Sequence, residues 1–145
     1  MKKVLVFGTF DGLHPGHRSF FNQASKKGDY LIVVVARDTT VWKIKNCRPQ
    51  KNERQRFLEI KKSKLADRVL LGGKGNPYKI IERLAPDVIF LGYDQKVFTE
   101  DLSVELRKMN LKTKIYRGKS YYPRKYHSRL VNKIKWKKKI FQSMD

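Results

Sequence analysis

The chain has 145 residues, enough for one domain with a continuous core and too few for two well-developed ones. Lys and Arg outnumber Asp and Glu by 34 to 13, a net charge of +21, so its natural partners are anions: polyphosphates, acidic lipids or nucleic acid. A lone cysteine, Cys47, excludes an intrachain disulfide and fits a reducing interior, and no segment approaches the ~20 apolar residues of a membrane helix, so a cytoplasmic protein is expected.

The first element, "KKVLVFG", is an apolar β-rich run ending at Gly8, the pattern of a strand buried on both faces. A helix is expected from Pro15, where Phe20, Phe21 and Ala24 recur at helical spacing until "KKGD" stops it. "YLIVVVA", residues 30–36, is a second buried strand. The polar stretch "RDTTVWKIKNCRPQ" reads as a loop with a short helical turn. "KNERQRFLEIKKSKL" then carries Phe57, Leu58, Ile60 and Leu65 on one side of a helix. "DRVLLGG" is a third strand, "NPYKIIERLA" a helix and "PDVIFLG" a fourth strand. "TEDLSVELRKMNL" is a helix with Thr99 as its cap, and "KTKIYRG" a fifth strand. A basic helix is expected from about residue 126, with Leu130, Val131, Ile134, Ile140 and Phe141 at roughly the helical period. Strict alternation of strand and helix predicts a Rossmann-like three-layer α/β/α domain over residues 1–145, with a five-stranded, mainly parallel sheet. Ligands of such sheets bind beyond the carboxyl ends of the strands, which selects residues 8–17, 37–48, 72–76 and 92–98.

The first of these segments is the most distinctive. "GTFDGLHPGH" places three glycines, a proline, His14 and His17 between a buried strand and a helix. Glycine lets backbone N–H groups approach a ligand, and the helix N-terminus adds unpaired donors and a positive dipole end, so phosphate is the natural guest. The stretch lacks the Gly-Lys-Ser/Thr end of a P-loop and the spaced glycines of a dinucleotide fingerprint. A lone histidine is ordinarily a satisfied core or surface residue; two of the chain's three on one turn make a shared role the better reading. A zinc site would need a third ligand from a distant Asp or from His127, and no metal-binding motif is present.

These ten residues resemble the signature of the cytidylyltransferase-like nucleotidyltransferases, whose Gly-Thr-Phe-Asp opening and His-x-Gly-His element follow the first strand of a Rossmann-like sheet. The resemblance implies attack by an acceptor phosphate on the α-phosphorus of a nucleoside triphosphate, with pyrophosphate leaving. His14 and His17 would then donate to phosphate oxygens, and the backbone of Gly8, Thr9 and Phe10 would cradle the same chain. Such a displacement needs alignment and charge neutralisation rather than a protein nucleophile. Asp11 would orient the acceptor or a metal, although capping a helix or a turn is the ordinary role of an Asp there. Mg²⁺ would arrive on the triphosphate rather than in a protein cage.

The resemblance continues in "ARDTTVWKIK", where Lys43 and Lys45 match basic positions that meet phosphate and Asp38 matches a recurring acid on the acceptor side. On charge alone, two lysines in so basic a chain are a solvated face. Within "KNERQRF", Arg56 fits the family's Glu-x-x-Arg step as a catalytic residue, and Arg54 reads as surface. "FLGYDQKVF" lies where the family binds base and ribose, so Asp94 would accept from ribose hydroxyls while backbone around Gly92 and Gln95 reads the base. In "YYPRKYHSRLVNKI", Ser128 matches the family's Ser/Thr-rich helix start, Arg129 replaces a hydroxyl residue among the nucleotide-binding positions, and Arg124 stands for an acceptor-binding arginine.

These later elements look more like the archaeal-type FAD synthases than the glycerol-3-phosphate cytidylyltransferases. The resemblance therefore implies transfer of adenylate from ATP to FMN. Phe98, Tyr121, Tyr122 and Tyr126 would help cover the flavin ring, though aromatics in a small domain are more often packing. A cytidylyltransferase using CTP and a small alcohol phosphate shares every catalytic residue named and stays open. So does a non-catalytic basic module that binds nucleic acid through its charge, with weak nonspecific binding expected even of an enzyme. Related enzymes are often homodimers.

Overall fold

The computed structural model describes residues 1–73, 75–93, 95 and 101–119. Thr99, Asp94, Phe98, Tyr121, Tyr122, Arg124, Tyr126, Ser128, Arg129 and the basic helix expected from about residue 126 lie outside them.

Five strands form one sheet: β1 (Lys3–Gly8), β2 (Tyr30–Val35), β3 (Arg68–Leu71), β4 (Val88–Leu91) and β5 (Lys114–Arg117). Between them run α1 (Pro15–Ser25), α2 (Asp38–Lys45), α3 (Glu53–Ser63), α4 (Tyr78–Leu84) and α5 (Leu102–Lys108). The order is β3-β2-β1-β4-β5, and every neighbouring pair is parallel, so all five strands end at one edge.

Period-two alternation divides the strand residues between two cores. Val4, Val6, Leu31, Val33, Val35, Val88 and Phe90 pack with Phe20, Phe21 and Ala24 of α1 and Ile60 of α3. The alternate residues Leu5, Phe7, Ile32, Val34, Ile89 and Leu91 pack with Ile80, Ile81 and Leu84 of α4 and Leu102 and Leu106 of α5. Helices therefore cover both faces, which is why β1, β2 and β4 read as unbroken apolar runs. The chain winds from β1 outward to β2 and β3, then returns to the far side of β1 for β4 and β5. That reversal opens a crevice between the ends of β1 and β4, where such sheets bind ligands.

The stretch after β2 differs from its reading as a loop with a short turn: residues 38–45 form a two-turn helix. It is fixed by buried Val41 and by Asn46 in the left-handed conformation that ends it. The next helix begins with a capping box, Asn52 accepting from the Gln55 N–H while the Gln55 side chain accepts from the Asn52 N–H. No helix among the described residues is long and apolar enough to cross a membrane.

Candidate active site

The turn leaving β1 is shaped by two positive backbone angles, φ +52° at Phe10 and +88° at Gly12. Glycine takes this conformation freely. A buried phenylalanine does so only where its surroundings impose it, and such strain gathers at functional sites. The Phe10 ring is fully buried against Phe20 and Phe21 and meets the His17 ring edge-on at 5.5 Å and 82°. It thus serves as the floor of the histidine turn.

The two imidazoles stack at 3.8 Å between centroids, so the expected pairing is present. His14 is the N-cap of α1: its Nδ1 accepts from the Gly16 N–H at 3.0 Å and the His17 N–H at 3.4 Å. An accepting Nδ1 fixes the neutral ring as the Nε2–H tautomer, a donor. His17 is buried, and its Nδ1 lies 3.1 Å from the Gly12 carbonyl oxygen, which can only accept. Its Nδ1 therefore carries the proton, and Nε2 becomes a donor only when the ring is an imidazolium. Neighbouring rings of one motif thus hold opposite tautomers.

Gly8 supports this arrangement by its lack of a side chain. A Cβ there would stand 2.5 Å from the Phe10 ring, which has no room to retreat. Gly8→Ala is expected to cost about 1–3 kcal/mol by overpacking. It should also lower turnover, because Phe10 carries the displacement to His17; a urea titration together with kcat measures both. Thr9 is buried, and its Oγ1 has no hydrogen-bond partner among the described residues.

The acidic and basic residues expected around this turn divide into two groups. Arg56 has no exposed surface, and all three guanidinium nitrogens are engaged. Nε donates to the Lys51 carbonyl at 3.0 Å, Nη1 to the Thr9 carbonyl at 2.9 Å and Nη2 to Asp38 at 2.7 Å. Arg56, expected to contact substrate, holds the backbone of the histidine turn at Thr9. Asp38, expected on the acceptor, pairs with Arg56 through Oδ1 and also lines a broad groove. Asp11 accepts from the N–H groups of Gln50 and Lys51 at 2.6 and 2.9 Å, so it ties the turn to the segment before α3. Lys43 and Lys45 part company because residues two apart on a helix face different ways: Lys45 is buried and Lys43 exposed.

At the β4 exit, Gln95 is buried. Its Oε1 accepts from the Gly92 N–H at 3.1 Å, and its Nε2 donates to the Phe7 carbonyl at 3.2 Å, bridging the crevice between β4 and β1. Arg117, which the sequence did not single out, donates from Nη1 to the carbonyls of Gly92 and Gln95 at 2.8 and 2.7 Å. Its only sequence trace is an arginine ending the strand that pairs with β4, in register with Leu91.

Among the described residues, two cavities open at this edge. A broad groove of about 810 Å³ is lined by Asp38, Trp42, Lys43, Arg48, Gln50 and Gln55, among others. A smaller one of about 330 Å³ lies beside the ends of β1 and β2 and includes Phe7, Gly8, Val34, Lys43, Ile44 and Ile80 in its walls. Lys43 belongs to both. No group of three or more His, Cys, Asp or Glu side chains gathers as a metal site among the described residues.

The sequence matches the family model described as cytidylyltransferase-like over residues 5–140. It is 46% identical over 121 residues to the FAD synthase of Aciduliprofundum boonei, covering 83% of this chain and 80% of that one. With the FAD synthase of Methanobrevibacter smithii it shares 41% identity over 141 residues, 93% of this chain and 92% of the relative. Among solved structures, the lipopolysaccharide core biosynthesis protein from Thermoplasma volcanium superposes with a TM-score of 0.79 at 38% identity, covering 83% of this chain and 98% of that one.

Proposed function

We propose, from the premise that the chain belongs to the cytidylyltransferase-like family and is a nucleotidyltransferase, that it transfers adenylate from ATP to FMN, giving FAD and pyrophosphate. The observation that carries the reading is the stacked histidine pair at the N-terminus of α1, on the glycine-containing turn that leaves β1. The likeness to FAD synthases supports the choice of substrates.

A phosphate oxygen of FMN forms a bond to the α-phosphorus of ATP, the bond from that phosphorus to the β-phosphate bridging oxygen breaks, and pyrophosphate leaves. His14 donates from Nε2 as a neutral ring, and His17 stacks beside it as the second imidazole of the turn, so charge building on the phosphates meets the histidine pair. The backbone of Gly8, Thr9 and Phe10 follows the phosphate chain, and Lys43 meets the acceptor phosphate. Arg56, Asp38 and Asp11 act through the turn: they hold Thr9 and the segment at residues 50–51, and so fix where the phosphate lies.

The donor set suits Mg²⁺ only as a passenger on the triphosphate. Asp11 and Asp38 are engaged by backbone N–H groups and by Arg56, and magnesium binds readily through phosphate oxygens and water. When bound, the ion neutralises charge on the leaving pyrophosphate.

The nucleoside lies over the β4 exit, where Arg117 and the Gln95 side chain hold the turn at Gly92 and Gln95, and the family resemblance assigns Asp94 to the ribose. Arg117 is a positioning residue for this segment. Arg117→Met is expected to raise KM for ATP about tenfold while changing KM for FMN little, with partial recovery in Arg117→Lys, which keeps a donor. Equal KM values for ATP in the three proteins would contradict that role. The reading as a whole is tested by pyrophosphate release from ATP or CTP paired with FMN, glycerol 3-phosphate, phosphoethanolamine or phosphocholine. Release is expected from ATP with FMN; release from CTP with an alcohol phosphate alone would replace this reading by its cytidylyl alternative.

A further inference from the structure

We infer that Glu53 is a positioning residue for the transfer: from the start of α3 it caps α2, and so fixes where Lys43 stands. This rests on the reading in which Lys43 meets the acceptor phosphate, and it adds what aims that lysine.

By its own sequence α2 is a weak helix. It has eight residues, short of the ~12–15 at which an isolated helix becomes even marginal in water, and of these Val41 and Lys45 alone are buried. Its N-cap, Arg37, offers no side-chain acceptor to the first turn, and the Asp38 carboxylate pairs with Arg56. The missing acceptor comes from another helix. Glu53 Oε1 accepts from the Asp38 N–H at 2.9 Å, and Oε2 accepts from Arg37 Nη1 at 3.0 Å. Arg37 in turn donates from Nε to the Gly72 carbonyl at 2.7 Å. One carboxylate thus joins the exits of β2 and β3 to the N-termini of α2 and α3, and its negative charge sits at the positive end of the α2 dipole.

The consequence falls on Lys43. It is exposed and lines both cavities, and no hydrogen bond or ion pair holds its ammonium group among the described residues. The backbone that carries it therefore decides where it reaches, and the start of that backbone is set from α3. Glu53 itself lines neither cavity, so it acts through α2 rather than on the acceptor.

A double-mutant cycle separates this role from plain stabilisation. Lys43→Met is expected to raise KM for FMN about tenfold and Glu53→Ala about threefold, each with KM for ATP at its parental value. The double variant should show only the rise of about tenfold seen with Lys43→Met, because the cap acts through the lysine; independent effects would multiply to roughly thirtyfold. Glu53→Gln keeps an oxygen for the Asp38 N–H, so it should recover part of the loss, and it replaces alanine in the cycle if the alanine variant does not fold. KM for ATP is the control for a general loosening of α3, since Arg56 on the same helix holds Thr9. Multiplied effects in the double variant, a KM for ATP that rises in step, or an unchanged KM for FMN in Glu53→Ala would overturn the assignment while leaving the flavin reading intact. An unchanged KM for FMN in Lys43→Met would overturn the reading of Lys43 and the assignment with it.

Discussion

His14→Asn is expected to lower kcat by about 10²–10³-fold, the usual cost of losing one donor to a developing oxyanion, with almost no loss of stability. The choice of asparagine separates two roles that alanine would confuse. His14 closes the first turn of α1 by accepting from the N–H groups of Gly16 and His17. Asparagine is among the best N-caps, so it preserves that closure while removing the Nε2 donor. His14→Ala should lose the same turnover and about 1 kcal/mol of stability as well. The pair is read from kcat and urea midpoints; an active asparagine variant would show that His14 matters only as a cap.

The second large effect is on stability, and its sign is set by burial. Asp38→Ala is expected to destabilise the protein by about 3 kcal/mol, more than Arg56→Met. The Arg56 guanidinium has no exposed surface, whereas the Asp38 side chain is 38% exposed. Removing the carboxylate strands a cation that cannot reach water. Removing the cation lets the carboxylate resolvate, leaving only the carbonyls of Thr9 and Lys51 short of a donor, at about 1–3 kcal/mol. Against the 5–15 kcal/mol that holds a typical domain together, either loss is large. Denaturant midpoints decide the order, and a less stable Arg56→Met protein would refute it.

Contiguity decided what the sequence could reveal. The strands were readable because each is a short apolar run bounded by turn residues, and alternation with helices dictated the parallel sheet. The histidine turn was readable because its parts adjoin: the glycines, the cap and both rings lie within ten residues. Arg56 illustrates the opposite case. The family resemblance suggested a hand on the substrate, but its partners are Thr9 and Asp38, 47 and 18 positions away, and only folding brings them together. Lys45 was paired with Lys43 by proximity in sequence, and a helix where a loop was expected turned them to different sides. Arg117 was invisible because its clamp depends on strand register, joining residue 117 to carbonyls 25 and 22 positions back. Asp38 and Asp11 share the lesson: a carboxylate beside a phosphate motif can serve by holding backbone and arginine in place.

The central claim is that an FMN phosphate attacks the α-phosphorus of ATP, and the most direct test follows that phosphorus. With ATP labelled at the α-phosphate and unlabelled FMN, the label is expected in FAD, with released pyrophosphate unlabelled. Consumption of the labelled ATP with no label on the flavin would contradict the account.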